Sequence, residues 1–410
     1  MGWNPRSNPS LEWNLRRTRV LLDLLGAPDR RLVVVLVAGT KGKGSTAALL
    51  ASVLAASGVR AGLYTKPHLQ TYRERVRVDG EMISAVDLDL RIAQLRPHHA
   101  ALRRLLPLAG EPTTFELTTV LALAHFALTG CAVAVVEVGL GGRFDATNAT
   151  DPHVSIITPI SHDHTRELGT TLGRIAAEKA GILRPGRIAL VARQPAVAAH
   201  AIRRAAATIA AVYTEVAPLS PAAARRAGLA LRGAHQRQNA ALAIAASRAL
   251  ADHGVPTRER AIPRGLRQLR WPGRFEVVPG RPRIVLDGAH NDGSADALAR
   301  ALRAEVRGRV RLIVGLMRDK DARAVARALE PIASAVYVTR PDSPRAAEPA
   351  ATARLFRRSA VRTFDDLASA LRAARADARP DETLCVTGSL ALVGQARTLL
   401  GLPALERLWD

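Results

Sequence analysis

At 410 residues the chain is long enough for two domains, each with its own core. Its hydrophobic content of 48% fits an ordinary globular protein, and no apolar stretch reaches the length of a membrane span. The formal net charge of +23 raises nucleic acid as a partner, but the basic residues are mostly arginines spread along the chain, as at Arg203-Arg204 and Arg225-Arg226, and aromatic residues are only 3%, too few for a base-stacking surface. The surplus reads as compositional bias, some of it able to attract anionic substrates.

The N-terminal stretch Met1 to Leu21 carries scattered charges and prolines and lacks the apolar core of a signal peptide. The first expected strand, Leu32 to Ala38, runs into Val37-Ala-Gly-Thr-Lys-Gly-Lys-Gly-Ser-Thr46, and a helix-like run, Ala47 to Ala56, follows. Strand, glycine-rich loop, lysine, hydroxyls and helix make a cradle for phosphate. Glycines let backbone N–H groups approach the oxygens, and the positive end of the helix faces the same anion. Lys43 can reach the outer phosphates, and Ser45 or Thr46 can offer a hydroxyl to magnesium. The spacing departs from the usual phosphate loop: Val37 stands where the first glycine belongs, and Gly44 separates Lys43 from Ser45. A plain glycine-rich turn is the alternative; the flanking strand and helix favour nucleotide.

Further strands are expected at Ala132 to Val138, Val154 to Thr158, Ile188 to Ala192, Ile284 to Leu286, Val310 to Gly315, Ala335 to Thr339 and Leu384 to Thr387, with helices between most of them. One helix is expected to be capped by Asp365. The alternation argues for mainly parallel sheets covered by helices, with ligands at the carboxyl ends of strands. Cys131 and Cys385 lie in strand-like runs and read as buried hydrophobes of a reducing compartment, here the cytoplasm. A break falls between Pro256 and Pro272, giving domains 1–268 and 269–410.

The chemistry-bearing residues cluster at strand ends. Glu137 closes Val135-Val-Glu137 and is followed by Gly139, Gly141 and Gly142; a carboxylate there can meet magnesium held on phosphates. His162 and His164 follow the next strand; His164 is the better metal candidate, and no close cysteine or histidine completes a zinc shell. Glu178 and Lys179 read, on physics alone, as an exposed helical pair. Asp287 and His290 follow a strand of the second domain and can contact nucleotide or an incoming substrate. Trp271 reads as packing a domain edge.

These segments together resemble the Mur ligase superfamily and, within it, the bifunctional dihydrofolate synthase/folylpolyglutamate synthase family. The matching pieces are GTKGKGST, KPHLQTYRERVRVDGEMIS, TTFELTT, VVEVGLGGRFDATN, SHDHTRELGTTLGRIAAEKAGIL, GAHQRQNAALA, WPGRFEVV, LDGAHNDG and VTGSLALVGQAR, in family order across most of residues 17 to 400. The resemblance implies a P-loop Mur ligase-like α/β domain with a mainly parallel sheet and a smaller Rossmann-like α/β domain. It implies ATP-dependent ligation of L-glutamate to dihydropteroate or folate through an acyl phosphate, by a monomer acting on small molecules without nucleic acid or membrane.

The family's roles then fall on matching positions. Gly39, Thr40, Lys41, Gly42, Lys43, Gly44, Ser45 and Thr46 would hold the phosphates, with Asn239, Arg274 and Asp287 completing the nucleotide site. Ser45, Glu137, His164 and Lys179 would serve two magnesium ions, Lys179 as a carbamate. His290 would meet the acyl phosphate or the glutamate, and Ser389 would line the glutamate pocket. One departure matters: Lys66 stands where the family usually has a serine that ligates magnesium, and a protonated lysine cannot.

Overall fold

The computed structural model describes residues 9–409, so the first part of the Met1 to Leu21 stretch lies outside it. Eight strands build the first sheet: β1 (Val33–Ala38), β2 (Ala61–Tyr64), β3 (Val76–Val78), β4 (Glu81–Met82), β5 (Val133–Glu137), β6 (Val154–Ile157), β7 (Ile188–Ala192) and β8 (Val212–Val216). Their order is β4-β3-β2-β5-β1-β6-β7-β8, parallel from β2 through β8, with β3 and β4 added antiparallel.

The β1 sequence, VVVLVA, is apolar on both sides because helices cover both faces. Val34, Leu36 and Ala38 point into a core shared with helices Pro9–Leu24 and Thr114–Leu128. Val35 and Val37 point the other way, onto helices Lys43–Ala56 and Gln236–Ala249. Each of the buried valines and the leucine contributes roughly 1.5–3 kcal/mol of transfer free energy. Helix Lys43–Ala56 is buried almost all round, which its sequence requires, since apolar residues occupy every face.

Six strands build the second sheet: β9 (Glu276–Val278), β10 (Arg283–Leu286), β11 (Val310–Val314), β12 (Ala333–Val338), β13 (Ala360–Thr363) and β14 (Thr383–Thr387), in the order β13-β12-β11-β14-β10-β9. All neighbours are parallel except β9 against β10. Helices Asp292–Glu305 and Ala322–Leu329 pack one face, and helices Leu367–Asp377 and Leu390–Leu399 the other. The chain thus forms two α/β lobes. Its last described residues return to the first: Leu408 and Trp409 join that lobe's core, and Arg270 N donates to Leu408 O at 2.8 Å.

Every strand expected from sequence is present. The cap of helix Leu367–Asp377 is a correction: Asp366, not Asp365, accepts from Ser369 N at 2.8 Å. Only Asp366 stands the three residues ahead of Ser369 that a capping carboxylate spans. Cys131 and Cys385 are buried free thiols, and no helix among the described residues is long and apolar enough to cross a membrane.

Candidate active site

The sheet order brings the sequence motifs together. β5, β1 and β6 are neighbours, so Glu137, the loop after Ala38 and the segment after Ile157 all leave the same edge side by side. In the second lobe β11, β14 and β10 are neighbours, so Asp287 to Asn291, Ser389 and Met317 to Lys320 share one edge. Both are carboxyl ends of parallel strands, where ligands of such sheets bind.

Gly42 caps helix Lys43–Ala56 with φ 84° and no side-chain cap bond, leaving the first-turn N–H groups for an anion. Only glycine fits there: a Cβ would stand 2.2 Å from Asn239 Oδ1. Asn239 is itself held by Gln236, which accepts from its amide at 2.8 Å. Lys43 donates to the carbonyls of Gly39 and Thr40 at 3.1 and 3.2 Å, so its ammonium is already folded over the loop. Thr40 is fixed by a bond from its hydroxyl to Ser161 O at 3.1 Å. Ser45 is buried in the helix's first turn beside Thr46, whose hydroxyl is buried without a hydrogen-bond partner.

Glu137 is buried beside the loop; a Cβ at Gly44 would stand 3.2 Å from its Oε2. That oxygen accepts from Lys66 N at 3.1 Å, and Oε1 accepts nothing from the described residues. Burial pushes its carboxyl up, against the pull of Lys43 and Lys66. Lys179 is not the exposed residue that physics alone suggested. It is buried at the end of helix Leu172–Lys179 and donates to Gly39 O at 2.9 Å. Burial, then the nearby Lys43 charge, brings its ammonium down to about 7.

His164 sits at φ 49° just ahead of a short helical turn, Thr165–Leu168. Its ring nitrogens lie 3.9 Å from Asp163 and 4.0 Å from Glu167, beyond hydrogen-bond reach, and partial burial holds the ring below its usual value. Neither ring nitrogen is taken up by a described residue, which leaves a lone pair available to a metal. His162 is an exposed loop residue.

The second lobe closes over this edge. Asp163 accepts from Asn291 Nδ2 at 3.1 Å and from Lys320 Nζ at 3.2 Å, a contact between lobes that the sequence did not reveal. Burial works against the Asp163 charge, yet Lys320, His164 and His290 hold its carboxyl below the usual value. Lys41 reaches from the loop onto Gly293 and feels Asp292 and Asp296.

Asp287 accepts from Phe275 N at 2.8 Å and Ala289 N at 2.9 Å, which orients the turn carrying His290. His290 Nδ1 bonds Gly288 O at 2.7 Å, so Nδ1 carries the proton and Nε2 is left as an acceptor. Burial brings this imidazole down to about 4. Arg274 donates to Gly273 O at 3.1 Å; the rest of its fork makes no hydrogen bond to the described residues, and its charge acts on both Asp287 and Glu137. Trp271, expected at a domain edge, also reaches the phosphate loop: a Cβ at Gly44 would stand 3.4 Å from its ring.

The structure therefore brings the loop, Glu137, Lys179, Arg274, Asn239 and Asp287 to one crevice. Ser389, on the same edge, caps helix Leu390–Leu399, its oxygen accepting from Leu392 N at 3.1 Å. No three His, Cys, Asp or Glu side chains among the described residues form a ready metal cluster. The oxygen donors present, an open Glu137 oxygen and the Ser45 and Thr46 hydroxyls, suit magnesium once phosphate oxygens complete the set.

Residues 37–215 match the Mur ligase middle domain, and residues 273–390 match the Mur ligase glutamate ligase domain. The chain is 33% identical over 412 residues to the dihydrofolate synthase/folylpolyglutamate synthase of Bacillus subtilis, with 94% of each chain covered. It is 38% identical over 406 residues to a probable bifunctional folylpolyglutamate synthase/dihydropteroate synthase of Haloferax volcanii, covering 93% of this chain but 47% of that protein. The chain thus spans about half the length of that relative. Among solved structures, Mycobacterium tuberculosis folylpolyglutamate synthase complexed with ADP superposes with a TM-score of 0.89 at 32% identity, with 96% of each chain covered. The chain belongs to the dihydrofolate synthase/folylpolyglutamate synthase family of Mur ligases.

Proposed function

We propose that this protein joins L-glutamate to the carboxylate of dihydropteroate, of a folate, or of both, at the cost of ATP. The observation that carries this reading is the convergence of a phosphate loop, Glu137 and Lys179 on one strand edge, faced by Arg274, Asp287 and His290 of the other lobe. The carboxylate oxygen of the pterin acid attacks the γ-phosphorus of ATP, and ADP leaves. The glutamate amine then attacks the acyl carbon, the C–O bond to phosphate breaks, and the amine loses its proton.

Each part of the chain has a task in that sequence. The helix Lys43–Ala56 N-terminus and Lys43 hold the outer phosphates and stabilise the charge that spreads over the transferred phosphoryl group. Arg274, Asn239 and Asp287 position the nucleotide from the far side of the crevice. His290, neutral with its Nε2 open, accepts a hydrogen bond from the incoming amine or its neighbour. Closure through Asp163, Asn291 and Lys320 keeps water from the acyl phosphate, which would otherwise hydrolyse. Magnesium, held by Ser45, Glu137, His164 and Lys179, would neutralise phosphate charge; Lys179 would serve as a carbamate, for which a free amine is needed. We assign residues 1–268 to the ATP-binding lobe and 269–410 to the glutamate-ligating lobe, except that Leu408 and Trp409 pack back into the first lobe's core, and expect a cytoplasmic monomer acting on small molecules.

The test is phosphate release with ATP and magnesium, offering dihydropteroate or a reduced folate, each with and without glutamate. Release that requires both the pterin acid and glutamate is expected. Release that depends on neither would place the chain with a different Mur-type amide ligase.

A further inference from the structure

Lys66 follows β2, and its ammonium makes no hydrogen bond to any oxygen of the described residues. Lys43 and Lys179 both donate to Gly39 O. Lys66 is anchored through its backbone, which donates to Glu137 Oε2 at 3.1 Å, and its side chain turns inward. The Nζ lies 3.8 Å from the centroid of the Phe115 ring. It also presses on Gly139: a Cβ there would stand 2.0 Å from Nζ and 2.5 Å from Asp145 Oδ2, so only glycine admits this lysine.

No described residue accepts a hydrogen bond from Nζ. Asp145 is the nearest acid by its effect on Lys66, but its oxygens are already taken by Leu140 N, Thr147 N and the Thr147 hydroxyl. Glu137 comes next, and its Oε1 is open. The ring of Phe115 supplies a cation–π contact but no acceptor. A partly buried ammonium whose donors no described residue takes suits an anion, and on the reading given above the anions at this corner are the phosphoryl group and the carboxylate it is joined to.

We propose that Lys66 is a resident cation of the active site: its ammonium takes the anionic oxygens of the activated acid at the Glu137 corner, in place of one divalent ion. The nucleotide-loaded protein then holds a single divalent ion. The Lys66 charge bears on Glu137, so a dication seated on that carboxylate would be repelled by the ammonium. Lysine supplies the charge and three donors but no ligand oxygen, so the substitution is of one cation for another rather than of one ligand for another. The inference rests on the reading of the site given above.

The experiment counts ions. Protein saturated with a non-hydrolysable ATP analogue is titrated with Mn2+, free Mn2+ is followed by electron paramagnetic resonance, and nucleotide binding is measured by calorimetry in the same samples. Wild type and Lys66→Arg are expected to bind one Mn2+ per nucleotide, and Lys66→Ser to bind two. Two ions in wild type, or one in a folded Lys66→Ser, overturns the proposal. Should Lys66→Ser not fold, the wild-type and Lys66→Arg counts still decide, since two ions in either overturns it. Failure to bind nucleotide at all removes the functional reading instead.

Discussion

The Lys179 ammonium lies 2.9 Å from the Gly39 carbonyl oxygen, tying the end of one helix to the start of the phosphate loop. Burial sets its value at about 7, against 10.5 for a free lysine. Between those two values the unfolded chain binds the proton and the folded one does not, so stability rises with pH across that window. Below about 7 the full cost, on the order of a few kcal/mol, is present. In carbonate-free buffer without metal, the melting temperature of wild type should therefore climb relative to Lys179→Met between pH 7 and pH 10. Parallel curves for the two proteins would contradict this.

Lys43 should matter for turnover more than for folding, because its ammonium rests on loop carbonyls at the surface of the crevice. Lys43→Met should lower kcat by roughly 100- to 1,000-fold, the range seen when one preorganised donor to a developing oxyanion is removed. Its melting temperature should stay near that of wild type. Single-turnover phosphate release measures the first effect and a thermal melt the second; a tenfold or smaller loss of rate would mean that another cation carries the charge.

Gly42→Ala forces an alanine into the left-handed region and drives its Cβ toward Asn239. The backbone cost is about 1–2 kcal/mol, and Asn239 must move as well. Nucleotide affinity should fall at least tenfold, since both the loop and a nucleotide-positioning side chain shift. Calorimetric titration with ADP checks it, and an unchanged affinity would show that the loop tolerates the strain.

Asp163→Ala leaves Lys320 and Asn291 without their acceptor across the lobes. Both members of the ion pair are mostly buried, at 12% and 14% exposure, so the loss should be on the order of 1–3 kcal/mol of lobe closure. Limited proteolysis of the chain crossing at residues 269–273 should become faster. Cleavage at the wild-type rate would mean that other contacts hold the lobes together.

Ser389→Ala removes the cap of helix Leu390–Leu399 and should cost about 1 kcal/mol of stability, read by denaturant unfolding. If the residue serves only as a cap, the KM for glutamate will not move; a raised KM would restore it to the glutamate pocket.

The phosphate loop, Glu137 and the strands that carry them were legible because each is a local pattern: an apolar β-branched run, then glycines, then charge. The short strands β2, β3, β4, β8, β9 and β13 were not. β2 reads AGLY, and its Gly62 is explained only by Phe126, which lies against it from a distant helix. Lys179 illustrates the same limit. Its neighbours in sequence describe an exposed helical pair, and its burial depends on Gly39, 140 positions away. The contacts of Asp163 with Asn291 and Lys320 join strand ends of two sheets, so no spacing within either segment encodes them. Lys320 does stand in a charged run after an apolar strand, the same signal that marked Glu137.

The return of Leu408 and Trp409 to the first lobe means that the polypeptide passes between the lobes twice, once near residue 270 and again after helix Leu390–Leu399. Where Arg270 donates to Leu408, the two passages are fastened side by side. Parting the lobes would therefore strain two strands of polypeptide at once, and the second is moored by Leu408 and Trp409 in the core of the opposite lobe.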